Sequence, residues 1–341
     1  ALRKIKEKVA QAEKKGGTYT ARFCVHSDQM KSTGSAGTSS SKGKLKMTAA
    51  QSNNATKLGG RSVDQVHSGH VRMAHRLAKS YGNRLLYVHG IGWHYWERNR
   101  WRADDSEARV KRAAMKVIAE SIAEVIGNPS DEAKRLRSDA RKCESSSGLE
   151  GMIRVARALK PFAATVDDID ADPYLLNVAN GTVDLHTGML RPHDPADRIT
   201  KICNGAYLPD TASVGANWST FLDRVQPDDA MRSFTQRLIG VGLIGRIHEH
   251  ILPILVGKGA NGKSVFCEAI QFALGDYAIT AEPDLLMQRD NAHPTGEMDL
   301  RGCRWAFVSE SDKDRRLAET TVKRLTADGK VRARRMRQDF V

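Results

Sequence analysis

The run GKGANGKS at 257–264 carries the residue types and spacing that triphosphate chemistry needs. Gly257 is followed by Lys258, Gly259, Ala260 and Asn261, then by Gly262, Lys263 and Ser264, with Val265 opening an apolar helical pattern. Glycines leave room for backbone N–H groups to approach an anion, and they permit backbone angles that other residues avoid. In such a loop Lys263 reaches the β- and γ-phosphates of ATP and Ser264 ligates Mg²⁺. Residues Gly257 to Val265 are therefore the expected ATP contacts. Hydrolysis also needs a carboxylate to hold the metal and polarise water. RWAFVSE (304–310) ends in Glu310, which takes that role beside Lys263 as the second catalytic candidate. Asp312 and Asp314 read as solvated or capping residues. A dense basic stretch follows, with Lys330, Arg332, Arg334, Arg335 and Arg337. Alternation puts Lys330, Arg332 and Arg334 on one face of an extended segment, suited to gripping a phosphate backbone without reading bases.

Positioning these groups requires a strand, a loop and a helix. ILPILV (251–256) reads as a buried strand, VFCEAIQFAL (265–274) as the helix behind the loop, and WAFVSE as a second strand. The return from helix to second strand fits a right-handed parallel crossover, so the fold class is α/β. LAETTVKRLT (317–326) reads as a helix leading to a turn at Asp328-Gly329.

The residues ahead of this region divide by composition. Residues 1–31 form a charged, helical N-terminal segment, and 32–60 are so rich in Ser, Gly, Lys, Thr and Asn that they read as a disordered linker. From Arg61, VRMAHRLAKSYG (71–82) has amphipathic helical spacing that stops at Gly82. RLLYVHGIGWHYWERNRW (84–101) reads as two or three short strands, with Trp93, Tyr95, Trp96 and Trp101 taken as strand packing in preference to a base-stacking platform. Residues 104–126 and 130–160 read as helices. PYLLNVANGTVDLHTGMLRPHDPADRITK (173–201) is a hairpin pattern with turns at Asn180-Gly181 and Thr187-Gly188. Residues 218–225 and 229–245 return to helix, with Asp228 or Asp229 as cap.

The net charge of +14 over 341 residues points to a polyanionic partner. No apolar run is long enough to span a bilayer, and no apolar signal core opens the chain, so the expected location is cytoplasmic. Five scattered cysteines form no C-x-x-C pair, which argues against a disulfide framework or zinc ribbon.

Taken in order, four stretches resemble one family. NVANGTVDLHTGMLRPHDPADRITK, GKGANGKSVF, LRGCRWAFVSES and VKRLTADGKVRARRMRQDF are similar to the signatures of superfamily-three DNA helicases of the phage and plasmid primase-helicase type, related to the poxvirus primase-helicase. The resemblance covers roughly Arg61 to Val341. It implies a P-loop, AAA+-like parallel-sheet motor at 216–341, preceded by a mostly helical α+β accessory domain at 61–215. It implies a homo-oligomer, a hexameric ring around single-stranded DNA that hydrolyses ATP between subunits, with a primase upstream or as a separate partner. It places Lys323 at the lysine of the family's K-x-L-T-G-G-D element and Lys330 to Arg334 in the DNA loop. Ala327-Asp328-Gly329 departs from the family's Gly-Gly-Asp. The family's sensor residue and inter-subunit arginine follow later in its motor than Val341, so the expectation is a partial motor. The leading reading is an ATP-dependent DNA helicase of phage or plasmid replication. The alternatives are a prophage remnant that binds ATP or DNA without turnover, and a small-molecule phosphotransferase, against which the basic stretch and Asn261 speak.

Overall fold

The computed structural model describes residues 21–23, 57–58, 61–209, 215–257, 261–288, 299–308 and 317–327. The chain divides into two compact units. The first is Ser27–Glu97 with Trp101–Asp168, and the second is Ala1–His26 and Arg98–Arg100 with Ile169–Val341. The main division between them falls at Asp168/Ile169.

In the first unit, helix α1 (Gly69–Tyr81) buries Met73, Ala74 and Leu77 and stops at Gly82, whose N–H donates to the Ala78 carbonyl at 2.9 Å. Strands β1 (Leu85–Val88), β2 (Gly92–Trp96) and β3 (Trp101–Ala103) form an antiparallel meander. Helix α2 (Ala108–Glu124) follows, then α3 (Asp131–Lys142) and α4 (Ser146–Ala156). Strand β4 (Ala163–Ala164) closes the sheet by pairing parallel with β1. The aromatic cluster packs as strand residues do: Trp93 is buried and lies edge-on to Tyr87 and Phe162, at 5.3 and 5.4 Å between centroids.

Two helix readings need correction. The helix expected from 104 begins at 108, because the buried Asp104 carboxylate accepts from the amides of Arg109 and Val110 and caps the first turn instead. The helix expected over 130–160 is two helices. Ser145 accepts from Gly148 N at 3.1 Å and caps α4, so the chain starts afresh there.

In the second unit, β5 (Leu175–Val178), β6 (Gly181–Asp184) and β7 (Met189–Arg191) form the expected antiparallel meander. Strand β8 (Gly205–Tyr207) pairs parallel with Ala21–Phe23. In the first unit two residues of the expected linker, Lys57–Leu58, pair with Arg61–Ser62; the other residues of 32–60 lie outside the described residues. Helices α5 (Ala216–Val225) and α6 (Asp229–Gly242) match their sequence patterns, and Asp228 is the cap of α6, accepting from Met231 N at 2.8 Å. Helix α7 (Lys263–Leu274) leads to β9 (Ala278–Ala281), which pairs parallel with β10 (Trp305–Val308). Helix α8 (Glu319–Thr326) follows.

The run ILPILV is not a strand. Residues 251–257 have no ladder partner among the described residues, and Ile254 and Val256 are 70% and 87% exposed. Pro253 explains part of this, since it offers no N–H and is at home only at sheet edges. The only parallel pairing near the loop among the described residues is therefore β9 with β10. What the described residues establish is a mixed α/β fold with small sheets. No helix among them is long and apolar enough to cross a membrane.

Candidate phosphate-binding site

Helix α7 is anchored by its apolar face. Phe266, Ile270 and Leu274 are buried in a core with Leu176, Val183, Cys203 and Tyr277. That anchoring fixes where the helix N-terminus points. Gly262 precedes it with φ +87°, a left-handed conformation suited to glycine, and no side chain caps the helix. Gly262 has no side chain with which to cap the first turn, and helix starts of this kind are where anions commonly bind.

A Cβ on Gly262 would lie 2.6 Å from Val225 Cγ1 and 3.3 Å from Phe221 Cε2, so α5 packs directly against the loop. A Cβ on Gly257 would collide with the Asn261 amide. At Gly262 the positive φ and the Val225 contact both favour glycine, whereas at Gly257 the Asn261 side chain would have to move to make room. Lys263 Nζ donates to the Gly257 carbonyl at 2.8 Å and to Asn261 Oδ1 at 3.1 Å. Asn261 thereby ties the ammonium to the two ends of the loop. Ser264 is exposed and Val265 half-buried in the first turn of α7.

The structure thus brings together Gly257, Asn261, Gly262, Lys263, Ser264 and Val265. Lys258, Gly259, Ala260, Glu310, Lys330, Arg332, Arg334 and Arg335 lie outside the described residues. Lys323 is on α8, exposed, with its ammonium 3.5 Å from Glu319 one turn back.

Sequence reasoning missed two arrangements. The first is the wall that α5 builds beside the loop. Its signal was the spacing of Trp218, Phe221, Leu222 and Val225, an apolar face whose destination no pattern names. The second is a buried clasp behind the hairpin signature. Asn177 is 1% exposed and donates through Nδ2 to the carbonyls of Asn99 and Lys201, at 2.8 and 2.9 Å. Its Oδ1 must then accept, so His193 Nδ1 carries the proton in their 2.8 Å contact. Burial pulls the His193 pKa below its ordinary 6.5. Nearby, Arg191 and Asp197 form a bidentate pair at 2.8 and 2.7 Å. The half-buried Arg304 donates to the carbonyls of Leu175 and Leu243 and lies 4.5 Å from the Tyr277 ring centroid; desolvation lowers its pKa. The N-G…R-P-H signature is thus built into the core that carries α7.

The four cysteines among the described residues are free, and burial pushes the Cys143 and Cys203 thiols up to about 11 and about 12.

Residues 74–227 match the family model described as D5 N terminal like. A protein of Acanthamoeba polyphaga mimivirus named "Putative helicase L207/L206" is 24% identical over 266 residues, which are 72% of this chain and 27% of that protein. "Putative primase C962R" of African swine fever virus is 26% identical over 206 residues, 58% of this chain and 21% of its own length. "Putative helicase 184R" of Invertebrate iridescent virus 6 is 25% identical over 197 residues, 55% of this chain and 20% of its own length. The chain thus spans about a quarter of the length of these relatives, and it is similar to viral proteins that carry helicase and primase names.

Proposed function

We propose that this chain is part of an ATP-dependent DNA helicase of the primase-helicase type, which couples triphosphate hydrolysis to movement on single-stranded DNA as a ring. The observation that carries this reading is the loop clasp. Gly262 holds a left-handed backbone angle against Val225, the helix behind it starts without a side-chain cap, and Lys263 bonds to Asn261 and the Gly257 carbonyl. The amides at the start of α7 would cradle the phosphates and orient the terminal one for in-line attack by water. Lys263 would swing from its loop partners to the β- and γ-oxygens and offset the charge that develops on them. Ser264 and Glu310 would hold Mg²⁺, whose contribution is to neutralise that same charge. The basic residues Lys323, Lys330, Arg332, Arg334 and Arg335 would meet the DNA backbone. The helicase and primase names of the viral relatives support a role in DNA replication, of phage or plasmid DNA in this reading. A cytoplasmic location and a separate primase partner belong to it as well.

The test is ATP hydrolysis with and without single-stranded DNA, with Lys263→Ala as the blank. DNA-stimulated turnover that disappears in Lys263→Ala is the expected result; turnover unchanged by the substitution would sink the assignment. A second reading has an observation of its own. Because 251–257 makes no strand among the described residues, the loop is held by α7 and the α5 wall and not by a strand leading into it. A chain that binds ATP and DNA without turnover fits that arrangement, and nucleotide binding with no hydrolysis would favour it.

A further inference from the structure

Helix α3 of the first unit sorts its charges along its length. Asp131 and Glu132 stand in its first turn, and Lys134, Arg135, Arg137, Arg141 and Lys142 follow. Its remaining acid, Asp139, is buried and pairs with Arg72 at 3.4 Å. Ala133, Leu136 and Ala140 fix the helix in the core. That leaves Lys134, Ser138, Arg141 and Lys142 exposed at the three- and four-residue spacings that share a helix face. With Arg137 they line an open groove of about 520 Å³, and no acidic or aromatic side chain lines it among the described residues. Arg137 gives one of its five N–H donors to the Val125 carbonyl at 2.6 Å, which holds the guanidinium in place. Lys134 has the exposed Asp131 at 3.2 Å, and no carboxylate among the described residues pairs with Arg141 or Lys142. Offsetting the helix dipole accounts for Arg141 and Lys142 in the last turn, but it asks nothing of Lys134, Arg137 or Ser138.

We infer that this groove docks the phosphate backbone of duplex DNA without reading its sequence. The stripe from Lys134 to Lys142 runs about 12 Å at the rise of an α-helix, a length over which one strand of a duplex presents about three phosphates. A duplex holds those phosphates at fixed spacing, so a rigid helix meets several at once. A single strand must first be ordered, and grooves that hold single strands pair their cations with aromatic rings for the bases, which this groove lacks. The inference shares its ligand class with the proposed function but none of its residues, and it stands whether or not the loop binds ATP.

Fluorescence anisotropy on the full chain tests it, with a labelled mixed-sequence duplex about two turns long and with one of its strands, each over a salt series. Lys134→Gln/Arg141→Gln/Lys142→Gln removes three cations from the groove while keeping a good helix former at each position. Lys79→Gln/Lys116→Gln/Lys160→Gln removes the same charge from exposed positions outside it. The groove variant should flatten the duplex log–log salt slope by about 2.7, at about 0.9 for each phosphate contact, and the control should keep the wild-type slope. The single-strand slope, which the proposed function assigns to Lys323, Lys330, Arg332, Arg334 and Arg335, should stay the same in both. If the triple variant melts early, Arg141→Gln alone carries the test with an expected change of about 0.9. A duplex slope unchanged in the groove variant overturns the inference. Equal flattening in both variants also overturns it, because overall charge would then suffice. Equal flattening for duplex and single strand overturns the choice of duplex. Phosphatidylserine vesicles are the competing anionic surface: vesicle binding lost in the groove variant, with duplex binding intact, assigns the face to a membrane instead.

Discussion

His193 shows how one side chain can make a core sensitive to acid. Its ring donates to Asn177, which is itself fully engaged with the Asn99 and Lys201 carbonyls, so a second ring proton has to be accommodated in a half-buried place. Burial holds its pKa below 6.5, and burial followed by the nearby His67 does the same to His75 in the first unit. Above pH 6.5 both rings are neutral folded or unfolded, and they contribute nothing to pH dependence. Below it the unfolded chain takes up protons first, so the stability present at neutral pH is lost as pH falls through the folded-state values. Urea unfolding at pH 7.5 and pH 5.5 should show the lower midpoint at pH 5.5, and His193→Gln should narrow that gap. An equal gap in the variant would remove His193 from the account. At this scale the sequence was legible where chemistry constrains residue type. Gly257, Gly262 and Lys263 were readable because few residues can do what they do. Asn177 and His193 were visible only as parts of a signature. What Asn177 bonds to, carbonyls 24 or more residues away, leaves no trace in local pattern.

Elements were legible where one periodicity ran between two stop signals. Helix α1 ends at Gly82, the β5–β6–β7 meander turns near its predicted Asn-Gly and Thr-Gly pairs, and α6 starts at Asp228 as capping chemistry requires. They were misread where a cap hid inside a continuous pattern. The junction of α3 and α4 is the clearest case. Apolar spacing runs on through 143–145, but Ser145 turns its hydroxyl to Gly148 N, and a Cβ on Gly148 would strike the Lys142 carbonyl. Ser145→Ala should cost about 1 kcal/mol, the ordinary value for a lost cap. Gly148→Ala should cost more, because backbone of α3 has to move and no flexible side chain can give way. Denaturant melts of the two variants check the order, and a Gly148→Ala variant as stable as Ser145→Ala would show that the junction relaxes freely. ILPILV failed for the opposite reason. Apolar content suggested a buried strand, but a strand exists only with a neighbour, and Pro253 removes one of the donors that would recruit it.

For the molecule as a whole the dominant quantity is its charge of +14. If single-stranded DNA is the partner, binding will release counterions, with a log–log salt slope of about −0.7 for each phosphate neutralised. Of the five proposed contacts, Lys330, Arg332, Arg334 and Arg335 would give about −3, and replacing these four with Ala should flatten the slope to about −0.7, the share of Lys323. Anisotropy titrations over a salt series measure this, and a slope unchanged by the replacement would move the DNA contact elsewhere. The same charge has a bearing on the bare run from Ile251 to Val256. Like-charged molecules repel, and that repulsion keeps one exposed apolar run from meeting another. Salt shortens its reach to about 8 Å at physiological ionic strength. Raising salt to strip DNA from this protein also removes its colloidal protection, so a drop in DNA signal has to be read alongside light scattering before it counts as dissociation.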